Sequence, residues 1–303
     1  MTFIRRSIYD AACRVVVAAA LVLGMQSSAR GADANLQSET IRVAVLTDLV
    51  SDVNDNDVRA ALSVWFESLA RRAGLHVTTS ILQSKPQLVE GLRDSKFDVI
   101  IVSTLEYPDV ARYLDPNTML FDKLIAETGG AKYLLVVPID SPIQNLAQLK
   151  GHDLLLYREG KGSLGRLWLE GMLKSSGLGT VDTFFRKTTP QTKVSRALLP
   201  VYFKQADACL VTEQGFRSAA ELNPQLAAKS RIIATSPALV TGFGALHRNF
   251  TSDVRRKFLD AMSVIHATPE GQQALTLFHT RGLIVRDLSI LRPTLTFLKG
   301  VQN

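Results

Sequence analysis

Two stretches of the chain set a hydroxyl residue at the same place in the same local pattern. Asp98-Val-Ile-Ile-Val102-Ser103 and Asp207-Ala-Cys-Leu-Val211-Thr212 each read as an acid, four apolar residues and a hydroxyl. Apolar runs of this length suit buried strands, and in open α/β sheets the C-terminal strand edge is where ligands bind. Around these edges cluster further polar residues: Thr104 and Tyr107 after the first, Glu213 after the second, and Thr47-Asp48 after the run Ile41–Leu46. A third cluster, Lys161-Gly162-Ser163, precedes an apolar stretch of helical spacing. Glycines there allow close backbone approach, and free N–H groups at a helix start favour an anion, with Lys161 adding charge. The chemistry open to this set is hydrogen bonding and charge matching to a small polar ligand. Ser163 acting only as a helix cap is the plainer reading of the spacing alone.

Other constellations lead elsewhere. The acidic loop Asp52–Asp57 lacks the glycine and the distal glutamate of a calcium loop, so it is expected to be a solvated loop capping the next helix. The five histidines, at 76, 152, 247, 266 and 279, show no zinc-like spacing, and no metal or cofactor is expected. His76 and His152 are expected at strand edges. Cys209 lies mid-strand between Ala208 and Leu210 with no local cation to lower its pKa, which favours a buried structural thiol over a nucleophile. No nucleophile-elbow or phosphate-loop string occurs. Arg255-Arg256-Lys257 reads as the solvated face of a helix, and the scattered basic residues do not suggest nucleic acid.

Positioning these residues requires alternating strands and helices. Ile41–Leu46, a helical stretch from Val58 to Ala70, His76–Ile81, Lys85–Leu92 and Phe97–Val102 form a β-α-β-α-β order, which predicts an open, mostly parallel sheet flanked by helices. The order restarts with a strand at His152–Tyr157, a helix at Ser163–Ser176, a strand at Asp207–Val211 and a helix at Gln214–Leu222. Lys132–Val137 lies between the halves, and Gly242–Leu246 follows the second. The expectation is an α/β protein of two lobes joined by a two-strand hinge, with 35–137 plus 241–303 as lobe one and 138–240 as lobe two.

The N-terminus bears on where the protein works. Arg5, Arg6 and Arg14 precede the short apolar run Val15–Leu23, and Ala32-Asp33-Ala34 offers a cleavage site. Residues 1–34 therefore read as a secretory signal peptide, too short to span a membrane. Its loss would remove Cys13, four Arg and two Asp from the 303-residue chain, leaving 269 residues with a net charge of +5 and Cys209 as the lone thiol. An intrachain disulfide is then excluded, so stability must come from a hydrophobic core.

Several strings, in order, resemble the type II periplasmic solute-binding proteins, and among them the phosphate/phosphite/phosphonate-type family of ABC importers. They are Ser141-Pro-Ile-Gln-Asn-Leu-Ala-Gln-Leu-Lys150-Gly151, Lys161-Gly-Ser-Leu-Gly165, Ala206–Val211, Ile232–Pro237 and Thr268-Pro-Glu-Gly271. The resemblance runs from about Ile41 to about Leu283. It implies a non-enzymatic periplasmic protein, monomeric, that closes about its hinge on a small ligand and partners a membrane permease. A membrane sensor, a signalling kinase or cyclase, is the alternative partner, and a Cys-dependent enzyme on the same fold is a third reading. Carried over to this chain, the ligand residues would be Thr47, Asp48, Ser103, Thr104 and Tyr107 from lobe one, with Lys161, Gly162, Ser163, Thr212 and Glu213 from lobe two. The chain departs from the family pattern in three places. Leu164 breaks the hydroxyl triplet of the anion loop, Thr212 stands where an Asp is common, and Glu106 adds a carboxylate. Like-charge repulsion from Asp48, Glu106 and Glu213 disfavours a doubly charged phosphonate, and favours a zwitterion or a modified organic anion.

Overall fold

The computed structural model describes residues 40–46, 74–158, 163–267 and 282–302, together with residues 269, 272 and 275. The expected signal peptide at residues 1–34, the acidic loop, Thr47, Asp48, Lys161 and Gly162 lie outside the described residues.

Eleven strands among the described residues build two mixed sheets. The first is ordered β2-β1-β3-β10-β4-β11, from β1 (Thr40–Leu46), β2 (His76–Leu82), β3 (Val99–Ser103), β4 (Leu114–Asp122), β10 (Gly242–His247) and β11 (Leu283–Arg286). The second is ordered β7-β6-β8-β5-β9, from β5 (Tyr133–Pro138), β6 (Asp153–Tyr157), β7 (Lys187–Gln191), β8 (Ala208–Thr212) and β9 (Ser230–Thr235). In both, three parallel strands stand in the order second, first, third. Next comes one antiparallel strand, β10 or β5, and beyond it a fourth strand running with the first three. The antiparallel strand beside the third strand is in each sheet the one that arrives from the other sheet, and the first sheet ends in a second antiparallel strand, β11. Each half is thus completed by a strand delivered across the junction.

Period-two alternation sorts each central strand onto two covered faces. In β1, Ile41, Val43 and Val45 join one apolar cluster while Ala44 and Leu46 join another. In β5, Tyr133, Leu135 and Val137 face one cluster and Leu134 and Val136 the other. Because helices cover both faces, these strands read as continuous apolar runs. The covering helices include α1 (Lys85–Arg93), α2 (Lys123–Thr128) and the helix Asp253–Ser263 on the first sheet, and α3 (Gly165–Ser175) and α4 (Val194–Tyr202) on the second. The C-terminal helix is α5 (Arg292–Gln302).

The repeated acid has one structural job in both halves. Asp98 Oδ2 accepts the backbone N–H of Arg42 at 2.8 Å and pairs with its guanidinium, tying β3 to β1. Asp207 Oδ2 accepts the N–H of Asp153 at 2.9 Å and lies 3.2 Å from His152 Nδ1, tying β8 to β6. Arg255 corrects the solvated-face reading of its helix. It is half-buried, pairs with Asp115 and donates to the Phe250 carbonyl, whereas Arg256 and Lys257 are exposed.

The expected division of the chain shifts at two places. Tyr133–Pro138 lies wholly in the second sheet, so the first crossing falls just before it rather than near residue 138. The second crossing, 236–241, lies beside the first through the antiparallel bridge of Ala131 with Leu239. The C-terminal segment, expected entirely in lobe one, starts on the first core with Leu291 and ends on the second with Leu298. Gly130 makes the close crossing possible. It sits at φ +127°, and an added Cβ would lie 2.3 Å from the Leu239 carbonyl oxygen. Gly130→Ala is expected to destabilise the fold by about 2 kcal/mol or more, read by chemical denaturation.

His247 is buried at the opposite edge of the first sheet. Its Nδ1 accepts the Asn249 N–H at 3.2 Å, which leaves Nε2 as the donor to the Leu92 carbonyl at 3.0 Å. Burial holds its pKa below the usual 6.5 despite the Leu92 carbonyl and Asp98. A depressed folded pKa contributes stability that is present above pH 6.5 and is lost as pH falls through the folded value. Unfolding free energy should therefore decline on acidification below pH 6.5, and His247→Gln should flatten that slope in denaturation curves taken across this range.

Candidate functional site

Ser103 and Thr212 occupy equivalent strand ends. Ser103 is buried at the end of β3, and its Oγ accepts the Leu105 N–H at 3.1 Å. Thr212 is buried at the end of β8, and its Oγ1 accepts the Gly215 N–H at 3.2 Å. Both hydroxyls therefore cap the helical turn that follows while keeping a proton to donate. Both also face the first residue of the strand from the other half: Ser103 pairs with Gly242, and Thr212 with Tyr133. The crossings attach directly to these edges. Thr104 N–H donates to the Thr241 carbonyl at 3.0 Å, and Glu213 N–H donates to the Lys132 carbonyl at 2.8 Å.

The remaining expected residues divide by what they already touch. Thr104 is fully buried and its hydroxyl donates to the Val240 carbonyl at 2.6 Å, so its proton is spent on the crossing. Tyr107 packs edge-on against Phe243, with ring centroids 5.9 Å apart. Burial raises its pKa and the Arg292 charge lowers it, with the increase prevailing, so the phenol stays a neutral donor at physiological pH. Glu213 is half-exposed and lies 3.5 Å from Arg217 one turn on. Glu106 is a buried carboxylate beside Tyr107. Ser163 is half-buried and precedes the helix rather than opening it, for α3 begins at Gly165 with Leu164 as its cap residue.

That cap carries a feature the spacing did not reveal. The Tyr133 hydroxyl accepts the Leu164 N–H at 3.1 Å, a donor that the helix start would otherwise present. Gly165 lets the phenol approach, since a Cβ there would lie 2.8 Å from both the Tyr133 ring and Leu210. Across the junction, Leu105 of the first half packs against the apolar cluster holding Tyr133, Leu164 and Leu239. Ser236 is a second residue missed by sequence reasoning. Buried in the crossing, its hydroxyl accepts the Tyr133 N–H at 2.8 Å and donates to the Pro237 carbonyl at 2.7 Å. The signal for Tyr133 was a lone phenol opening an otherwise aliphatic strand, and Ser236 showed only a Ser-Pro step. Tyr133→Phe should strand the Leu164 N–H and lower stability by about 1–3 kcal/mol in denaturant titrations.

Among the described residues no group of acidic, histidine or cysteine side chains could hold a metal, and no helix is long and apolar enough to cross a membrane. Cys209 is wholly buried, and burial pushes its thiol far up from the ordinary value. It should resist alkylation in the native protein and react only on unfolding, as mass spectrometry after iodoacetamide would show.

Residues 49–289 match the model of the family described as "ABC transporter, phosphonate, periplasmic substrate-binding protein". The chain belongs to this family. Its members are non-catalytic binding components of ABC transporters, which sets aside the Cys-dependent enzyme. Solved structures share the type II fold at low identity. A binding protein component of an ABC phosphonate transporter from Pseudomonas aeruginosa is 16% identical, with a TM-score of 0.58 over 88% of this chain and 87% of that one. PhnD1 of Prochlorococcus marinus, solved with methylphosphonate, is 14% identical, with a TM-score of 0.59 over 87% and 98%. XAC2383 of Xanthomonas citri, solved with ATP, is 17% identical, with a TM-score of 0.60 over 88% and 98%. No curated protein matches the chain. As a family member, this substrate-binding protein serves an ABC transporter of the phosphonate type.

Proposed function

We propose that the two sheets are the cores of two lobes, and that the cleft between their facing strand ends holds a small anionic or zwitterionic ligand. The observation that carries this reading is the attachment of both edges to the same pair of crossings, through Thr104 to Thr241 and Glu213 to Lys132. Hinge bending there would open or close the space between Ser103 and Thr212. By the family resemblance, Thr47, Asp48, Ser103, Thr104 and Tyr107 belong to this site from lobe one, and Lys161, Gly162, Ser163, Thr212 and Glu213 from lobe two. Among the described residues of this set, Ser103, Tyr107, Ser163 and Thr212 are the hydroxyl donors, and Thr104 positions the edge.

Charge selects the ligand class. Lys161 and the start of α3 favour an anionic group, while Glu106, Glu213 and Asp48 favour a cationic one. Tyr133 already takes the Leu164 donor, which leaves fewer N–H groups for a doubly charged oxyanion. A small zwitterion, such as an aminoalkylphosphonate or an amino acid, satisfies both sets of groups. The leader at residues 1–34 exports the chain to the periplasm, where a monomer hands its ligand to a membrane permease.

Isothermal titration against methylphosphonate, an aminoalkylphosphonate, phosphate, amino acids and sulfonates tests the reading. A zwitterion should bind at least about tenfold more tightly than methylphosphonate, with Ser163→Ala and Tyr107→Ala each weakening it by roughly tenfold. Affinity that survives both substitutions would place the ligand elsewhere.

A further inference from the structure

The C-terminal helix α5 bridges both sheets across the junction. Its start rests on the first core, where Leu291 is fully buried and Leu295 packs against the same cluster. Its end rests on the second core through Leu298, with Phe297 packed beside it. Val301 seats on Gly171 of α3, so closely that a Cβ on Gly171 would lie 2.7 Å from Val301 Cγ2. The Val301 carbonyl accepts a hydrogen bond from Lys174 Nζ at 3.2 Å. Between these ends, the fully buried Thr294 hydroxyl accepts the Val240 N–H at 2.9 Å.

Val240 is therefore held on both polar groups of its residue, N–H by Thr294 and carbonyl by Thr104. The second crossing cannot swing at this point without breaking one of two buried hydrogen bonds. An 11-residue helix is a stiff bar about 16 Å long, anchored at one end to the first half and at the other to the second. Rotation of one sheet on the other must drag Val301 off Gly171 or lift Thr294 from Val240.

We propose that α5 is a strap that limits hinge opening: Thr294 positions the pivot, and the seat of Val301 on Gly171 is the contact that must release for the lobes to part. The inference holds whichever ligand the cleft takes, because it concerns the crossings rather than the strand ends.

The seat can be locked covalently. An ideal Cβ on Gly171 lies 3.8 Å from the Val301 Cβ, the spacing that disulfides prefer. In the exported chain carrying Gly171→Cys and Val301→Cys, the remaining thiol, Cys209, is buried and does not compete. Hydrogen exchange is then compared in the oxidised and reduced protein. Oxidation should slow exchange of the Ala131, Leu239 and Val240 amides by about tenfold or more and leave the core-strand amides of Ile100 and Leu210 unchanged. Small-angle scattering should show a narrower range of sizes on oxidation. Equal exchange at the crossings in the two redox states would overturn the strap, as would failure of the disulfide to form in the folded protein.

Thr294→Val removes the hydroxyl alone and gives a second test without a crosslink. Exchange at Val240 should rise by about fivefold or more while Ile100 and Leu210 hold their rates. A uniform rise across crossings and core strands would mean general destabilisation and would refute a positioning role for Thr294.

Discussion

The chain passes between its two halves at a point where backbone touches backbone. Gly130 lies against the Leu239 carbonyl with no room for a side chain, and the Ala131–Leu239 bridge joins the crossings into a short ribbon. Strand edges, hydroxyl caps and the start of α3 all take their positions from that ribbon. Thr104 and Glu213 bind it from opposite sheets, and Tyr133 and Ser236 fasten its second-sheet end. A side chain at position 130 would disturb not one local turn but the relative placement of both strand edges.

One repeated local pattern gives the two halves similar chemistry. Asp98 and Asp207 each sew the third strand of their sheet to the first, and Ser103 and Thr212 each cap the helical turn at the far end of that same strand. One local pattern thus fixes the strand at its start and presents a hydroxyl at its end. The halves differ where selectivity would be set. The first contributes Tyr107 and Glu106. The second contributes the phenol-capped helix start, in which an internal hydroxyl occupies a donor that a ligand oxygen would otherwise meet.

Legibility in the sequence followed the range of the interactions. Buried strands such as Ile41–Leu46 and Tyr133–Pro138 are uniform apolar runs, so they and the α/β order could be read directly. Leu114–Asp122 escaped notice because Asp-Pro-Asn, a turn signal, stands within it. Lys187–Gln191 did so because an edge strand can be polar and hold a proline. At the site, Ser103 and Thr212 were visible because their caps are local. Tyr133 was not, since the Leu164 donor it serves is 31 residues away, and neither was Thr294, whose partner lies 54 residues back. Sequence patterns carry period and capping well, but the pairing of distant hydroxyls with single backbone groups leaves no periodic trace.

The exchange of β5 and β10 between the sheets has a consequence for how the chain reaches its native state. The first sheet lacks its central antiparallel strand until Gly242–His247 has been made, and β5 finds its place only once β8 and β9 exist. Neither half can finish early while the rest of the polypeptide is still emerging. Such long-range closure delays folding, because loop entropy is lost before the distant pairings form. Strand exchange at the junction therefore makes the two halves complete together rather than in turn.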